Sequence, residues 1–424
     1  MATSSSLALH GGDPTVVDPI PAYSSIGGDE RAAVNRVMAS QSLSGFYGSW
    51  GPEFLGGEEV KSFEAEWSVQ FSVPHAVSVN SATSGLIAAL GAIGLSPGDE
   101  VIVPPYTMSA TAIAPLFYGG IPVFADVELE TFCINVDDVK RLITPKTRAI
   151  IAVNLFGHPA KLHELAALAK EHGLYLIEDN AQAPLAQEYG VYTGTLGDIG
   201  VFSLNYHKHI HTGEGGMCVT HIDELALRLQ AIRNHAENIT EHCDLGSMAN
   251  MIGQNYRMTE LSAAVGRAQL KKIDQEVGFR QDISQSLSDG IGDLDGLTVP
   301  MTRTDCSHSF YIWCLRVDQD KLGVTRNDFS LALAAEGFPH FQGYVRPLYN
   351  LPVFKKKIAI GAHGWPFTLT DRIYHDNMCP AAERLCREEA LLFETCAFNL
   401  NESLIAQLIE SVRKVYTLRS EIVR

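Results

Sequence analysis

Residues 201–220, VFSLNYHKHIHTGEGGMCVT, decide how the rest of the chain is read. Val201-Phe202-Ser203-Leu204 has the β-branched and aromatic composition of the end of a buried strand. Thr212-Gly213-Glu214-Gly215-Gly216 is turn chemistry, and Met217-Cys218-Val219-Thr220 reads as a returning strand. Lys208 therefore belongs to a loop between two strands, with no acid close on its N-terminal side. A lysine presented from a rigid strand–turn–strand suits a Schiff-base nucleophile, because burial lowers the ammonium pKa and leaves the amine neutral. Most lysines are instead solvated surface residues, and the loop alone also allows that fate.

Working outward, the surrounding chain alternates short apolar runs with helical stretches. Helices are expected over 29–38, 58–71, 86–93, 136–143, 162–172, 223–236 and 259–273, with short strands at 75–79, 101–103, 122–126, 149–155 and 174–177. Such repeated βα units imply an α/β fold with a mostly parallel sheet covered on both faces. Ligands bind such sheets at the carboxyl ends of the strands. Glu178-Asp179 follows directly on one strand, so these acids stand at the ligand end; an isolated pair of this kind also serves as a helix cap. Residues 80–85 form a polar turn from a strand into a helix, where free N–H groups and the positive helix end face one point. A plain N-cap without a ligand is the commoner use of such a turn.

After about residue 285 the pattern changes. A half-exposed strand is expected at 308–317 and helices at 326–336, 385–393 and 403–416, which makes a smaller α+β domain. Three units are expected: an N-terminal extension with a glycine-rich loop (1–57), a large domain (58–285) and a small C-terminal domain (286–424). The loop at 45–57 holds five glycines and four aromatics, too many glycines for a regular element. The net charge of −17 argues against nucleic acid or an anionic membrane as partner. The eight cysteines are scattered without metal-ligand spacing, which suggests reduced thiols in a cytoplasmic protein. Residues 1–12 carry no basic segment followed by an apolar core, so no secretory signal is expected, and no run is long enough to span a membrane.

Ser203-x4-Lys208-x4-Gly213-Glu214-Gly215-Gly216 resembles the lysine signature of the DegT/StrS family of PLP-dependent sugar aminotransferases. Four further stretches carry the same resemblance: Ser81-Ala82-Thr83, the segment 98–111, Glu178-Asp179-Asn180-Ala181-Gln182-Ala183, and Gly253-Gln254-Asn255-Tyr256-Arg257-Met258. The resemblance implies the fold-type I architecture and pyridoxal 5'-phosphate as cofactor. It implies that Lys208 carries the cofactor, that Asp179 pairs with the pyridine nitrogen, and that Gln182 hydrogen-bonds the ring oxygen. By the same match, Ala82, Thr83 and Ser203 hold the phosphate, and Met108 lies where relatives have an aromatic that stacks on the ring. Asn255 reaches the phosphate of a neighbouring subunit, so a homodimer with shared active sites is expected. The amino donor is L-glutamate or L-glutamine and the acceptor a ketone of a sugar, nucleotide-sugar or cyclitol. The loop 45–57 is expected near the active-site entrance. The segment 343–380, ending in Cys379-Pro380-Ala381-Ala382-Glu383-Arg384, resembles one found in members with cyclitol or free keto-sugar substrates.

Some readings stay open. Met108 also reads as core filler, Asn255 as a turn residue, and Lys355-Lys356-Lys357 as a solvated face or an anion-facing patch. His207, His209 and His211 alternate and, in a strand, would share one face as metal ligands; a substrate-facing role is the other reading. Deoxysugar dehydration on the same scaffold, with lysine retained, and a non-catalytic binding homologue are the alternatives to amino transfer.

Overall fold

The computed structural model describes residues 6–422. Seven strands form its main sheet: β1 (His75–Val79), β2 (Glu100–Val103), β3 (Ile121–Phe124), β4 (Thr147–Val153), β5 (Tyr175–Asp179), β6 (Ile199–Ser203) and β7 (Gly216–Thr220). Their order across the sheet is β1-β7-β6-β5-β4-β2-β3. All pairings are parallel except the two made by β7, the strand that returns after the Lys208 loop. Ile150, Ile151 and Ala152 of β4 are fully buried, as expected of a sheet covered by helices on both faces. Helix Leu162–His172 was legible to the residue, as were helix Glu58–Phe71 and strand His75–Val79.

Helix Ala82–Ala92 starts four residues before the expected Leu86, because the Ser81 hydroxyl accepts the Ser84 N–H (3.1 Å) and caps it early. Gly85 lets this helix sit close on the sheet: a Cβ there would lie 2.8 Å from Val201 Cγ1 and 3.0 Å from Cys218 Sγ.

A second, four-stranded antiparallel sheet is built from Leu297–Thr298, Ile312–Val317, Ala390–Glu394 and Phe341–Gln342. Its core joins Trp313, Leu315, Phe329, Leu408 and Val412 with Leu7 and Val16 from the N-terminus. Helix Ile273–Ile291 runs across the expected domain boundary at 285. Ile273 and Val277 pack into the core near β7, and Ile283, Leu287 and Ile291 into the small-sheet core. The helix expected at 385–393 is replaced by a short helix (Pro380–Arg384), a π turn and the strand Ala390–Glu394. Ala390, Leu391, Leu392 and Phe393 are all buried, and the strand pairs on both sides. A central strand covered on both faces loses the alternation that separates strand from helix in sequence. The strand expected from His308 begins at Ile312.

The segment 343–380 seals the free edge at β3. Tyr349, Phe354 and Tyr374 set their rings against Phe124, with centroids 5.2–5.8 Å apart. Tyr374 OH donates to the Pro122 carbonyl (2.9 Å), and Arg372 pairs with Glu100 (2.7 Å). Asp126 accepts the Ala381 and Ala382 N–H groups (2.8 and 3.0 Å), so the Cys379–Arg384 motif anchors this cover. Covering an edge strand removes a template for unwanted pairing. The loop 45–57 docks on the far side: Phe54 is buried, and Asn234 Nδ2 donates to the Tyr47 and Phe54 carbonyls (2.8 and 3.0 Å).

Candidate active site

Ala82, Thr83, Met108, Asp179, Gln182, Ser203 and Lys208 line one cavity of about 170 Å³. Asp179 and Ser203 are the last residues of β5 and β6, so the cavity opens at the carboxyl ends of parallel strands. Asn255 does not line it. Its side chain is exposed, and its Oδ1 accepts the Arg257 Nε–H at 2.8 Å. No residue of the loop 45–57 lines this cavity either.

The two acids at the end of β5 part ways because successive side chains of a strand point to opposite faces. Glu178 turns away from the cavity and accepts the N–H groups of Gly194, Leu196 and Gly197 (2.6–2.8 Å), fixing the turn before β6. Asp179 turns into it. Thr111 Oγ1 donates to its Oδ2 (2.7 Å) and the Ala181 N–H to its Oδ1 (3.3 Å). Burial pushes the Asp179 carboxyl above its ordinary range, against these hydrogen bonds and the positive charge of Lys208.

Lys208 enters from a loop closed by several bonds. The Leu204 N–H donates to the Gly215 carbonyl (2.9 Å), the Thr212 N–H to Leu204 (2.9 Å), and Asn205 Nδ2 to Glu214 Oε1 (2.9 Å). The residue keeps some solvent exposure, but its amine lies 4.0 Å over the centre of the Tyr311 ring. Burial pushes the amine down to about 8, partly opposed by Asp179. Gln182 is held at both ends, its Oε1 accepting the Phe156 N–H (2.9 Å) and its Nε2 donating to Tyr344 OH (2.9 Å). One amide hydrogen of Gln182 remains for a ligand. Met108 is 55% exposed, which excludes core filling, and its sulfur accepts the Ala110 N–H (3.1 Å).

The three histidines do not share a face, since the segment is loop rather than strand. His207 lines the cavity, the buried His209 donates Nε2–H to the Ser309 carbonyl (2.7 Å), and His211 Nδ1 accepts the Gly213 N–H (3.3 Å). Among the described residues the grouping with metal-ligand spacing is Glu188, Asp305 and Cys306, and there Arg303 already pairs with both acids and donates to Cys306 Sγ.

These groups fit pyridoxal 5'-phosphate. At the start of helix Ala82–Ala92 the Ala82 and Thr83 N–H groups have no protein acceptor among the described residues, which is the donor set a phosphate needs. Gly216 closes that cradle: a Cβ on it would stand 2.7 Å from the Ala82 nitrogen. Across the cavity, a buried carboxylate and a desolvated amine supply partners for a pyridine nitrogen and an aldehyde carbon. Sequence reading missed the groups that hold these partners in place: Thr111, Phe156, Tyr311 and Tyr344. Thr111 falls within the quoted segment 98–111 and was open to notice. The others reach the site only through tertiary packing.

Residues 31–391 match the model of the DegT/DnrJ/EryC1/StrS aminotransferase family. The chain is 34% identical over 385 residues to the GDP-perosamine synthase of Vibrio cholerae, covering 90% of this chain and 98% of that protein. It is 32% identical over 356 residues to the L-glutamine:2-deoxy-scyllo-inosose aminotransferase of Streptomyces fradiae, covering 81% of each. The crystal structure of S. venezuelae DesV in complex with a ketimine intermediate superposes with a TM-score of 0.77 at 29% identity, over 91% of this chain and 94% of that one. The crystal structure of a GDP-4-keto-6-deoxymannose-3-dehydratase with a trapped PLP-glutamate geminal diamine superposes with a TM-score of 0.77 at 25% identity, over 93% of this chain and 100% of that one, and pyridoxal 5'-phosphate is the cofactor that this cavity fits. The chain belongs to the DegT/DnrJ/EryC1/StrS aminotransferase family.

Proposed function

We infer that this chain moves an amino group from L-glutamate or L-glutamine to a ketone of a sugar, nucleotide-sugar or cyclitol, with pyridoxal 5'-phosphate attached at Lys208. The observation that carries this reading is the desolvated Lys208 amine facing the buried Asp179 beside a helix start with free N–H groups. When bound, the cofactor supplies an electron sink conjugated to the nitrogen being transferred. Lys208, lowered to about 8, can both give and take a proton near neutral pH, as a general acid–base requires. Asp179, fixed by Thr111, would set its carboxyl oxygens against the pyridine nitrogen. Ala82, Thr83 and Ser203 would hold the phosphate, Gln182 the ring oxygen, and Met108 would lie at the ring face.

The proposal includes a cytoplasmic homodimer in which Asn255 serves the partner's cavity. Its support is that Asn255 is exposed and does not line its own cavity. It also bridges to Asn234, which holds the loop carrying the exposed Tyr47 and Trp50. Exposed Met248 and Ile252 lie in the same stretch of chain as Asn255. All eight cysteines are free thiols, in keeping with a reducing compartment. Among the described residues no helix is long and apolar enough to cross a membrane.

The test is the visible absorption of the cofactor-loaded protein before and after L-glutamate or L-glutamine. Bleaching of the lysine-linked band by one donor supports the reading and identifies that donor. A band that forms but responds to neither donor overturns it, and a product that has lost water rather than gained an amino group assigns deoxysugar dehydration instead.

A further inference from the structure

Among the described residues, the lysines held in ion pairs are Lys161, Lys272, Lys321, Lys355 and Lys414; Lys208 is not one of them. Its amine rests on an aromatic face instead, 4.0 Å from the centre of the Tyr311 ring. That ring is 5% exposed and is flanked by His207 and His209, at 6.1 and 6.2 Å between centroids. Its backbone is pinned from two sides. The Ser309 N–H donates to the Gly157 carbonyl (3.0 Å), and Thr395 Oγ1 donates to the carbonyls of Phe310 and Tyr311. A Cβ on Gly157 would come within 2.7 Å of the Phe310 nitrogen, so the two segments are in direct contact. The small-sheet half of the molecule thus delivers one rigid ring under the amine.

We propose that Tyr311 is the positioning residue of Lys208: its ring face, rather than a carboxylate, holds the free amine at the cavity floor. The proposal rests on the reading of Lys208 as the attachment point. An ion pair would fix the amine only by keeping it charged. A ring attracts the ammonium more weakly and, carrying no charge itself, loses no ionic partner when the amine deprotonates. The charged and titratable groups facing the amine are Asp179 from the end of β5, Glu394 and Cys396 from the end of the strand Ala390–Glu394, and His207 and His209 on its own loop. Phenylalanine keeps the face; leucine keeps the apolar bulk and removes it.

The experiment follows capture of the cofactor rather than turnover. Full-length protein freed of cofactor is mixed with pyridoxal 5'-phosphate at values from about pH 6 to about pH 10. The amine adds to the aldehyde carbon, water leaves, and borohydride delivers hydride to the resulting double bond. The labelled Lys208 peptide is then quantified by mass spectrometry against time. In the wild-type protein the rate should climb with pH through a midpoint of about 8, because only the neutral amine adds. Tyr311→Phe should keep the midpoint and stay within about twofold of the wild-type rate. Tyr311→Leu should lower the midpoint by roughly half a unit to one unit, since the ammonium loses its ring while staying desolvated. It should also slow the limiting rate.

A purely packing role for Tyr311 would slow capture without moving the midpoint, and that result overturns the proposal. So does a Tyr311→Phe protein that shifts as far as Tyr311→Leu. Circular dichroism checks folding, and Tyr311→Met, unbranched and flexible, replaces the leucine variant if that variant is unfolded. Absence of label at Lys208 in the wild-type protein would instead remove the reading of Lys208 on which the proposal stands.

Discussion

Along the carboxyl ends of β5 and β6 the polar groups are held from one side and left open on the other. Asp179 is gripped by Thr111 yet faces the cavity, and the first N–H groups of helix Ala82–Ala92 point into the same space. At the other end of the sheet, along β3, the polar groups gather on one carboxylate. Glu383 accepts Tyr349 OH (2.8 Å), Asn350 Nδ2 (3.1 Å) and the Asn377 N–H (3.2 Å), and its other oxygen meets Arg387 (2.8 Å). Both regions carry motifs of the same family, so a motif match by itself does not say whether a residue reacts or packs. Convergence of the unused groups on one cavity at the carboxyl ends of the strands does say it, because unused capacity alone also occurs in the sealed region, at Asn350 Oδ1.

Variants can break that contrast. Lys208→Ala should abolish the donor-dependent spectral change and cut amino transfer by about 10³-fold or more, with an unchanged melting temperature or a raised one, because a costly buried amine is gone. Asp179→Asn should lower kcat by about 10²-fold while the protein stays folded and still captures cofactor, which separates charge from shape. In the sealed region the loss should move from rate to stability. Glu383→Ala leaves three hydrogen-bond donors and the Arg387 guanidinium without their partner and should cost about 3 kcal/mol in denaturant unfolding, with cofactor capture per folded molecule unchanged. Lys355→Ala removes an ion pair to Asp376 that is largely in solvent, and should cost under about 1 kcal/mol with no effect on turnover. A large effect of Lys355→Ala on turnover would show that the insert does more than seal the edge.

The contrast also marks what could be read from sequence. Helix Leu162–His172 was readable because its apolar residues keep the helical period and a glycine follows it. The strand Ala390–Glu394 was not, because burial on both faces erased its alternation and left a run that suits either element. Asp179 and Glu178 stood out alike by their place after a strand, and only the family resemblance singled out Asp179; the pleat assigns one to the cavity and the other to the turn at Gly194–Gly197. The alternation of His207, His209 and His211 misled for the opposite reason, since a two-residue spacing carries meaning only where the backbone is extended. Tyr311 and Tyr344 lie far along the chain, and only the packing of the two sheets brings them under Lys208 and against Gln182.

The loop bearing Lys208 is tied at both ends, to β6 where it leaves and to β7, the sheet's one reversed strand, where it returns. Its lysine is therefore a swinging arm on a fixed pivot. Whatever the amine does during a catalytic cycle, it must do by turning its own four side-chain carbons, so every station it visits lies within one arm's length of the same Cα. Such an arm needs no loop to open and no helix to shift, and its motion belongs to the fast timescale of rotamer changes rather than the slow one of segment rearrangement. Slow steps in this protein should then be sought in the traffic of substrates through the mouth of the cavity.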